Sequence, residues 1–293
     1  MRLFVVIATA GRAALTAQTV ERLALQTRRP DGVLVVGASP EDVVGVTAPG
    51  LPVRVELASK GSCSQRNHAL DALEGDCDLV AILDDDFVAA FDFLESAETL
   101  MRARPEVVGL NGHLLADGAR GPGVPFQEAC RLLESYRPDP RSALEEQPLE
   151  TLYGCNMVLR ASAIGGLRFD ENLPLYGWQE DVDFTFRLRT RTRGRLLKSP
   201  ALVGVHMGVK IGRTPGKKLG YSQIANPIYL LRKKTIPKKL AAKLLVKGPL
   251  ANLLKLWRSE PYVDRRGRLT GNLMALGDLL RGRMDPRRIV DIT

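Results

Sequence analysis

An apolar run of five residues, Leu79-Val80-Ala81-Ile82-Leu83, ends in three consecutive carboxylates, Asp84-Asp85-Asp86. A run this short and this apolar is a strand covered on both faces, as in a parallel sheet. Three like charges at the carboxyl end of such a strand repel one another, and desolvating them together is costly unless a cation joins them. Ligands of open α/β sheets bind at that end of the strands. The residues therefore imply a divalent-metal site for a phosphorylated ligand, because Mg2+ and Mn2+ take oxygen donors and share their coordination shell with phosphates. A solvated acidic turn that caps the next helix would show the same three residues, so other segments must decide.

The rest of the chain supplies the setting. Strands are expected at 3–9, 33–36, 53–57 and 79–83, with helices at 13–27 and 63–74 between them. A helix at about 91–103, strands at 107–110 and 155–159, a helix at 179–193 and a strand at 201–205 follow. Strands that alternate with helices imply βαβ units and a parallel sheet. Residues 117–125 are rich in Gly and Pro and read as a loop or mobile lid, and 138–150 as an irregular surface segment.

Charge divides the chain in two. Residues 232–293 hold 16 Lys and Arg against 5 Asp and Glu, whereas residues 1–231 hold 26 against 28. The basic character belongs to the tail, so the two parts do different jobs. Within it, residues 237–258 alternate lysines with Leu, Ala and Val at helical spacing, Lys239, Lys243 and Lys247 lying four apart. Gly248-Pro249 is expected to split this stretch into two short helices, with Trp257 near its end. A basic amphipathic segment of this kind suits an anionic membrane surface, and it equally suits a helix packed on the main domain with its lysines in water. No stretch approaches the ~18 apolar residues of a membrane span. The N-terminal run 3–9 leads straight into a turn and helix, so it reads as a first strand of a cytoplasmic protein. Four cysteines without CxxC spacing read as reduced thiols. Nucleic-acid-binding signatures are absent.

Three further groups carry chemistry. Glu180-Asp181, with Asp183, opens the helix at 179–193 just after Tyr176 and Trp178. Acids there are favoured by the helix dipole alone. An aromatic wall beside a carboxylate also suits a sugar ring, with the carboxylate as general base for a hydroxyl. His206 closes the strand at 201–205 and would complete a Mn2+ shell with two acids, while His68 and His113 lack such a setting. Arg66-Asn67 sits in a helix start whose free N–H groups favour an anion. Thr9-Ala10-Gly11-Arg12 is a similar tight turn. Neither GxGxxG nor GxxxxGK[ST] occurs, which removes support for dinucleotide cofactors and P-loop chemistry.

Taken in order, these pieces resemble the family 2 glycosyltransferases of the GT-A fold over roughly residues 2–210. The matching segments are Thr9-Ala10-Gly11-Arg12, Arg66-Asn67, Asp84-Asp85-Asp86 as the DxD motif, Gly154 to Arg160, Phe169-Asp170-Glu171 and Glu180-Asp181. The resemblance implies an inverting transfer from a nucleotide-diphosphate sugar, with Mn2+ or Mg2+ as cofactor. Asp84, Asp86 and His206 would bind the metal. Thr9, Arg12, Arg66, Asn67, Asp84 and Asp85 would face the nucleotide or its phosphates. Asp181 would be the base with Glu180 in support, and Tyr176 and Trp178 would meet the acceptor. One departure stands out. After the second strand, where the family often carries a base-reading Asp, this chain has Gly37-Ala38-Ser39-Pro40-Glu41-Asp42, so that role is missing or falls to Glu41 or Asp42.

The expected architecture is therefore a GT-A type, mostly parallel α/β sheet flanked by helices. Its catalytic domain is set at 1–222, with a nucleotide-sugar part to 112 and an acceptor part from 113, and a basic helical extension occupies 223–293. The expected activity is transfer to a saccharide or lipid-linked acceptor in cell-surface polysaccharide synthesis, at or near the inner face of the plasma membrane. A sugar-phosphate nucleotidylyltransferase and a non-catalytic basic adaptor are the alternatives. A loop at 208–216 carries Lys210 and Arg213 as candidate phosphate contacts.

Overall fold

A computed structural model describes residues 1–137, 145–210, 214–257 and 260–293. Among these described residues nine strands form one sheet, in the order β3-β2-β1-β4-β8-β6-β9-β5, with β7 added beside β9. The first half is parallel throughout: β1 (Leu3–Thr9), β2 (Gly32–Gly37), β3 (Val53–Leu57) and β4 (Leu79–Asp84). The second half is mixed. β8 (Asn156–Arg160) runs antiparallel to both β4 and β6 (Val107–Asp117). β9 (Arg195–His206) is parallel to β6, and β5 (Phe87–Ala89) and β7 (Gln147–Leu149) pair antiparallel with it.

The central strands bury both faces, as their unbroken apolar runs require. Leu3, Val5, Ile7, Val33, Val35, Leu79, Ala81 and Leu83 enter one core, which also takes Val20 and Leu23 of α1 (Ala13–Leu23) and Leu94 and Met101 of α3 (Phe93–Ala103). Val6, Leu34, Val36, Val80 and Ile82 face the other core, together with Leu70 of α2 (Ser62–Ala72) and Phe184 and Leu188 of α6 (Glu180–Thr192). Each fully buried Val, Leu or Ile stabilises by about 1.5–3 kcal/mol, so the sheet is a rigid base for whatever its strand ends carry.

Several elements depart from expectation. α1 stops at Leu23, followed by a turn at Ala24 and Leu25, instead of running to 27. β5 intervenes before α3, and β6 extends to Asp117. Residues 126–135, not expected to be regular, form α4, whose Ala129 and Leu133 are buried under β9. The surface segment expected at 138–150 contains β7, while 138–144 lie outside the described residues.

The boundary expected at 222/223 falls inside α7 (Gly216–Lys233). α7 is followed by α8 (Lys238–Leu254) and α9 (Arg265–Leu280). Gly220 and Gly271 let α7 and α9 approach closely, because a β-carbon on either would strike the other helix's backbone. Pro249 does not split α8 as expected. Packing holds the helix on both sides of it: Ala241 and Leu244 join the sheet's second core, and Asn252 beyond the proline bonds Gln223 at 2.8 Å. Tertiary contacts thus outweigh the ~3 kcal/mol helix penalty of one proline. α7 is tied to the α/β body by Lys233, 2.5 Å from Asp170 and 2.8 Å from Asp183, and by Asn226, which donates to the Trp178 carbonyl at 2.7 Å. Among the described residues no helix is long and apolar enough to cross a membrane.

Candidate active site

The three acids at the end of β4 part company. Asp84 and Asp86 meet His206, with one ligand atom from each within 4.8 Å of the others. The reason is register: β5 pairs with β9 so that Phe87 lies opposite His206, which sets the residue before Phe87 beside the imidazole. The Met207 N–H donates to the Asp86 carbonyl at 2.8 Å, and the Val209 N–H to its Oδ2 at 2.8 Å. His206 Nδ1 is 2.8 Å from Asp117 Oδ1 and 3.3 Å from the Tyr153 hydroxyl, which turns Nε2 toward Asp86 at 3.4 Å. Burial opposes charge on this imidazole, but Asp117 and Asp86 outweigh it and raise its pKa to about 10. A cation held by the cluster would displace that proton, since metal-bound histidine is neutral. The donor set of two carboxylates and one imidazole suits Mn2+, and Mg2+ when phosphate oxygens complete the shell.

Asp85 points elsewhere. Its carboxylate accepts from Thr9 Oγ1 at 2.8 Å and from Arg12 Nη1 at 2.7 Å, and its carbonyl from Thr19 Oγ1 at 3.0 Å. Burial, offset by Arg12, pushes its pKa up to about 7. Thr9 and Asp85, expected at the donor, are both buried and bonded to each other, so they shape the β1–α1 turn. Arg12 also reaches Asp86 Oδ2 at 3.5 Å and keeps part of its side chain open.

Arg66 is buried, with 4% of its surface exposed. Its guanidinium donates to Asp84 at 2.9 Å and to Glu180 at 2.7 Å. It therefore spans the two acidic clusters, and this enclosure leaves it no open face of the kind expected for phosphate contact. The neighbouring Asn67 is likewise occupied within the chain: it accepts from the Phe169 N–H at 2.7 Å and donates to Glu171 at 2.9 Å.

Asp181 lies at the start of α6, where Gly154 N–H donates to Oδ2 at 2.7 Å and its neighbour Val182 N–H to Oδ1 at 2.8 Å. Thr185, one turn on, anchors the same loop by accepting from Leu152 N–H at 3.0 Å. Burial raises the Asp181 carboxyl, opposed by the two amides and Arg66. Glu180 rises to about 8 through burial and the Asp181 charge, with Arg66 opposing. A carboxylate raised in this way is a stronger proton acceptor than an unperturbed one.

The turn before α6 is tightly wound. Leu175, Gly177 and Gln179 all have positive φ, at 59°, 67° and 77°. A β-carbon on Gly177 would lie 2.6 Å from Ser62 Oγ, so this position needs glycine twice over. The turn leaves Tyr176 exposed and Trp178 half-buried beside the acids. Behind the second strand, Asp42 accepts from the N–H groups of Gly11, Ala38 and Ser39 at 2.6–3.0 Å. Its carboxylate is spent on joining two loops, whereas Glu41 is exposed. Lys210 Nζ donates to the Gly118 carbonyl at 2.8 Å, and Arg213 lies outside the described residues.

Asp117 and Tyr153 were not anticipated as partners of His206. Asp117 opens the stretch 117–125 that reads as loop, and only the extension of β6 alongside β9 brings it into register with His206.

No family model and no curated protein matches this sequence. Solved structures do. A mannosyltransferase, PcManGT from Pyrobaculum calidifontis in complex with GDP-Man and Mn2+, superposes with a TM-score of 0.54 at 17% identity, covering 99% of this chain and 78% of that one. TarS residues 1–349 from S. aureus superposes at 0.56 and 16% identity, covering 99% and 82%. The same TarS segment in complex with UDP-GlcNAc gives 0.52 at 14% identity. The chain has the GT-A fold of glycosyltransferases. In that fold, the Asp84–Asp86–His206 group stands at the carboxyl end of β4, where an open α/β sheet holds its ligand.

Proposed function

We propose that this chain is a metal-dependent, inverting glycosyltransferase of the family 2 type. Its donor is a nucleotide-diphosphate sugar. Its acceptor is a hydroxyl of a saccharide or lipid-linked molecule in cell-surface polysaccharide synthesis, met at the inner face of the plasma membrane. The observation that carries the reading is Arg66, which joins Asp84 of the metal-capable cluster to Glu180 beside Asp181, so one guanidinium couples the two acidic groups.

In this reading Asp84, Asp86 and His206 would hold Mn2+ or Mg2+, which would supply charge neutralisation for the diphosphate leaving group. Asp181 takes the acceptor's proton as the acceptor oxygen bonds to the anomeric carbon and the bond from that carbon to the phosphate oxygen breaks. One displacement inverts the anomeric centre and needs no covalent enzyme intermediate. The Gly154 and Val182 amides hold Asp181 in place, and the Arg66–Glu180 pair beside it fixes the start of α6. Tyr176 and Trp178 offer ring faces to the acceptor sugar. The neighbours' ligands, GDP-Man in one and UDP-GlcNAc in another, keep more than one nucleotide in play.

A thermal-shift panel of UDP-, dTDP- and GDP-sugars, each with and without Mn2+, tests this. Binding at a hundredfold excess over Kd stabilises by about 2.7 kcal/mol. The expected result is a metal-dependent shift with one nucleotide class that Asp86→Ala abolishes. A donor shift that survives both metal removal and that substitution would overturn the metal assignment.

A further inference from the structure

Nine of the seventeen large apolar side chains that stand exposed among the described residues fall between positions 246 and 280. They follow two helical stripes. On α8 and the turn after it, Lys239, Lys243, Val246, Leu250, Leu253 and Trp257 recur at spacings of four and three, which puts them on one face. Leu254 and Trp257 are 71% and 85% exposed. On α9, Leu273, Leu276 and Leu280 form a similar stripe, Leu280 being 89% exposed. The opposite faces are already used: Asn252 of α8 and Asn272 of α9 both bond Gln223 of α7, and Tyr221 of α7 bonds Asp278 of α9. What remains outward is apolar and basic together. α8 contains Lys238, Lys239, Lys243 and Lys247 and no acid.

We infer that the outward faces of α8 and α9 form a docking surface for an anionic lipid bilayer, with the leucines and Trp257 entering the interface and the α8 lysines meeting the headgroups. Charge selects this occupant. Two copies of the chain joined symmetrically through α8 would bring two sets of four lysines, and no acid of that helix, into one interface, which like-charge repulsion disfavours. A bilayer supplies both halves of the complement, negative headgroups for the lysines and acyl chains for the leucines. The surface belongs to the helical extension and stands whether or not the catalytic reading does.

The experiment is co-sedimentation of the full chain with vesicles of phosphatidylcholine alone and of phosphatidylcholine mixed with phosphatidylglycerol. Binding is expected only to the mixed vesicles, and it should fall as salt rises. Each lysine near such a surface contributes roughly fivefold, so Lys239→Glu with Lys243→Glu should weaken binding by at least about 25-fold. Leu254→Ser with Trp257→Ser should weaken it independently of salt, and because both side chains are exposed the variant should keep its melting temperature. Asp86→Ala should bind vesicles like the wild type, which separates this surface from the metal site. Absence of binding to mixed vesicles, or binding indifferent to both pairs of substitutions, overturns the proposal. So does a dimer in solution that the serine variant abolishes while vesicle binding persists unchanged.

Discussion

The cleft at the sheet's carboxyl edge and the helical extension both concentrate charge, and they treat it in opposite ways. In the cleft Asp85, Asp86, Arg66, Glu180 and His206 are buried, each within reach of an opposite charge. On α8 Lys238, Lys239, Lys243 and Lys247 are all directed to solvent. Buried charges survive only in fixed geometry with partners, because desolvation costs several kcal/mol per ion. That constraint yields a site of defined shape. Exposed charges keep their water and their rotamers, which yields a surface suited to a diffuse, salt-sensitive partner.

The sharpest way to break this contrast is to strip the cleft of a metal ligand. Asp86→Ala should abolish metal-dependent donor binding and transfer, read by calorimetric titration with Mn2+ and by product formation. Next in size, Asp181→Asn should lower transfer by about 10²–10⁴ while leaving donor affinity near that of the wild type, as loss of a general base requires. Wild-type turnover in this variant would remove Asp181 from the base role. Third, Arg66→Leu strands Asp84 and the buried Glu180 without their cation and should destabilise by about 3–5 kcal/mol in urea unfolding. A benign Arg66→Leu would mean that the cleft charges are not held by partners at all.

A smaller effect concerns the seam between the two regions. Burial would raise the Asp170 carboxyl, but hydrogen bonds from Lys233 and Tyr229 lower its pKa to about 2. A depressed carboxyl stabilises the fold above its unfolded pKa of about 4 and loses that contribution as pH falls toward about 2. Acid unfolding followed by circular dichroism should therefore show a wild-type advantage over Asp170→Asn at neutral pH that vanishes across this window. The smallest effect is on the exposed face: Lys239→Glu with Lys243→Glu should change stability in solution by less than about 0.5 kcal/mol. A large loss would show that these lysines serve the fold.

Much of this site was legible because its residues punctuate periodic segments. Asp84, Asp86, Glu180, Asp181 and His206 each stand where an apolar run or a helical pattern begins or ends. β5 was missed because three residues carry no periodicity. α4 had a signal, Phe126, Ala129, Cys130 and Leu133 at helical spacing, masked by the Gly- and Pro-rich stretch before it. The Asp42 role was visible only in outline, as Ser39-Pro40 before an acid, the pattern of a capped turn. Lys210 reads as a phosphate contact by composition, yet its ammonium bonds backbone carbonyls of the 118–119 turn.

By itself, the sequence determined the alternating strands and helices, the acidic strand end and the division between a nearly neutral body and a basic tail. Those features arise from neighbours along the chain, where hydrophobic period and local charge act directly. Only the tertiary structure decided which acids gather at His206 and which is spent on Arg12, that Asp117 and Tyr153 orient His206, and that Arg66 bridges the two clusters. It also decided which faces of α8 and α9 stay uncovered. These outcomes depend on strand register and helix packing between residues as far as 123 positions apart, as with Asp86 and Val209. No local pattern encodes such pairings.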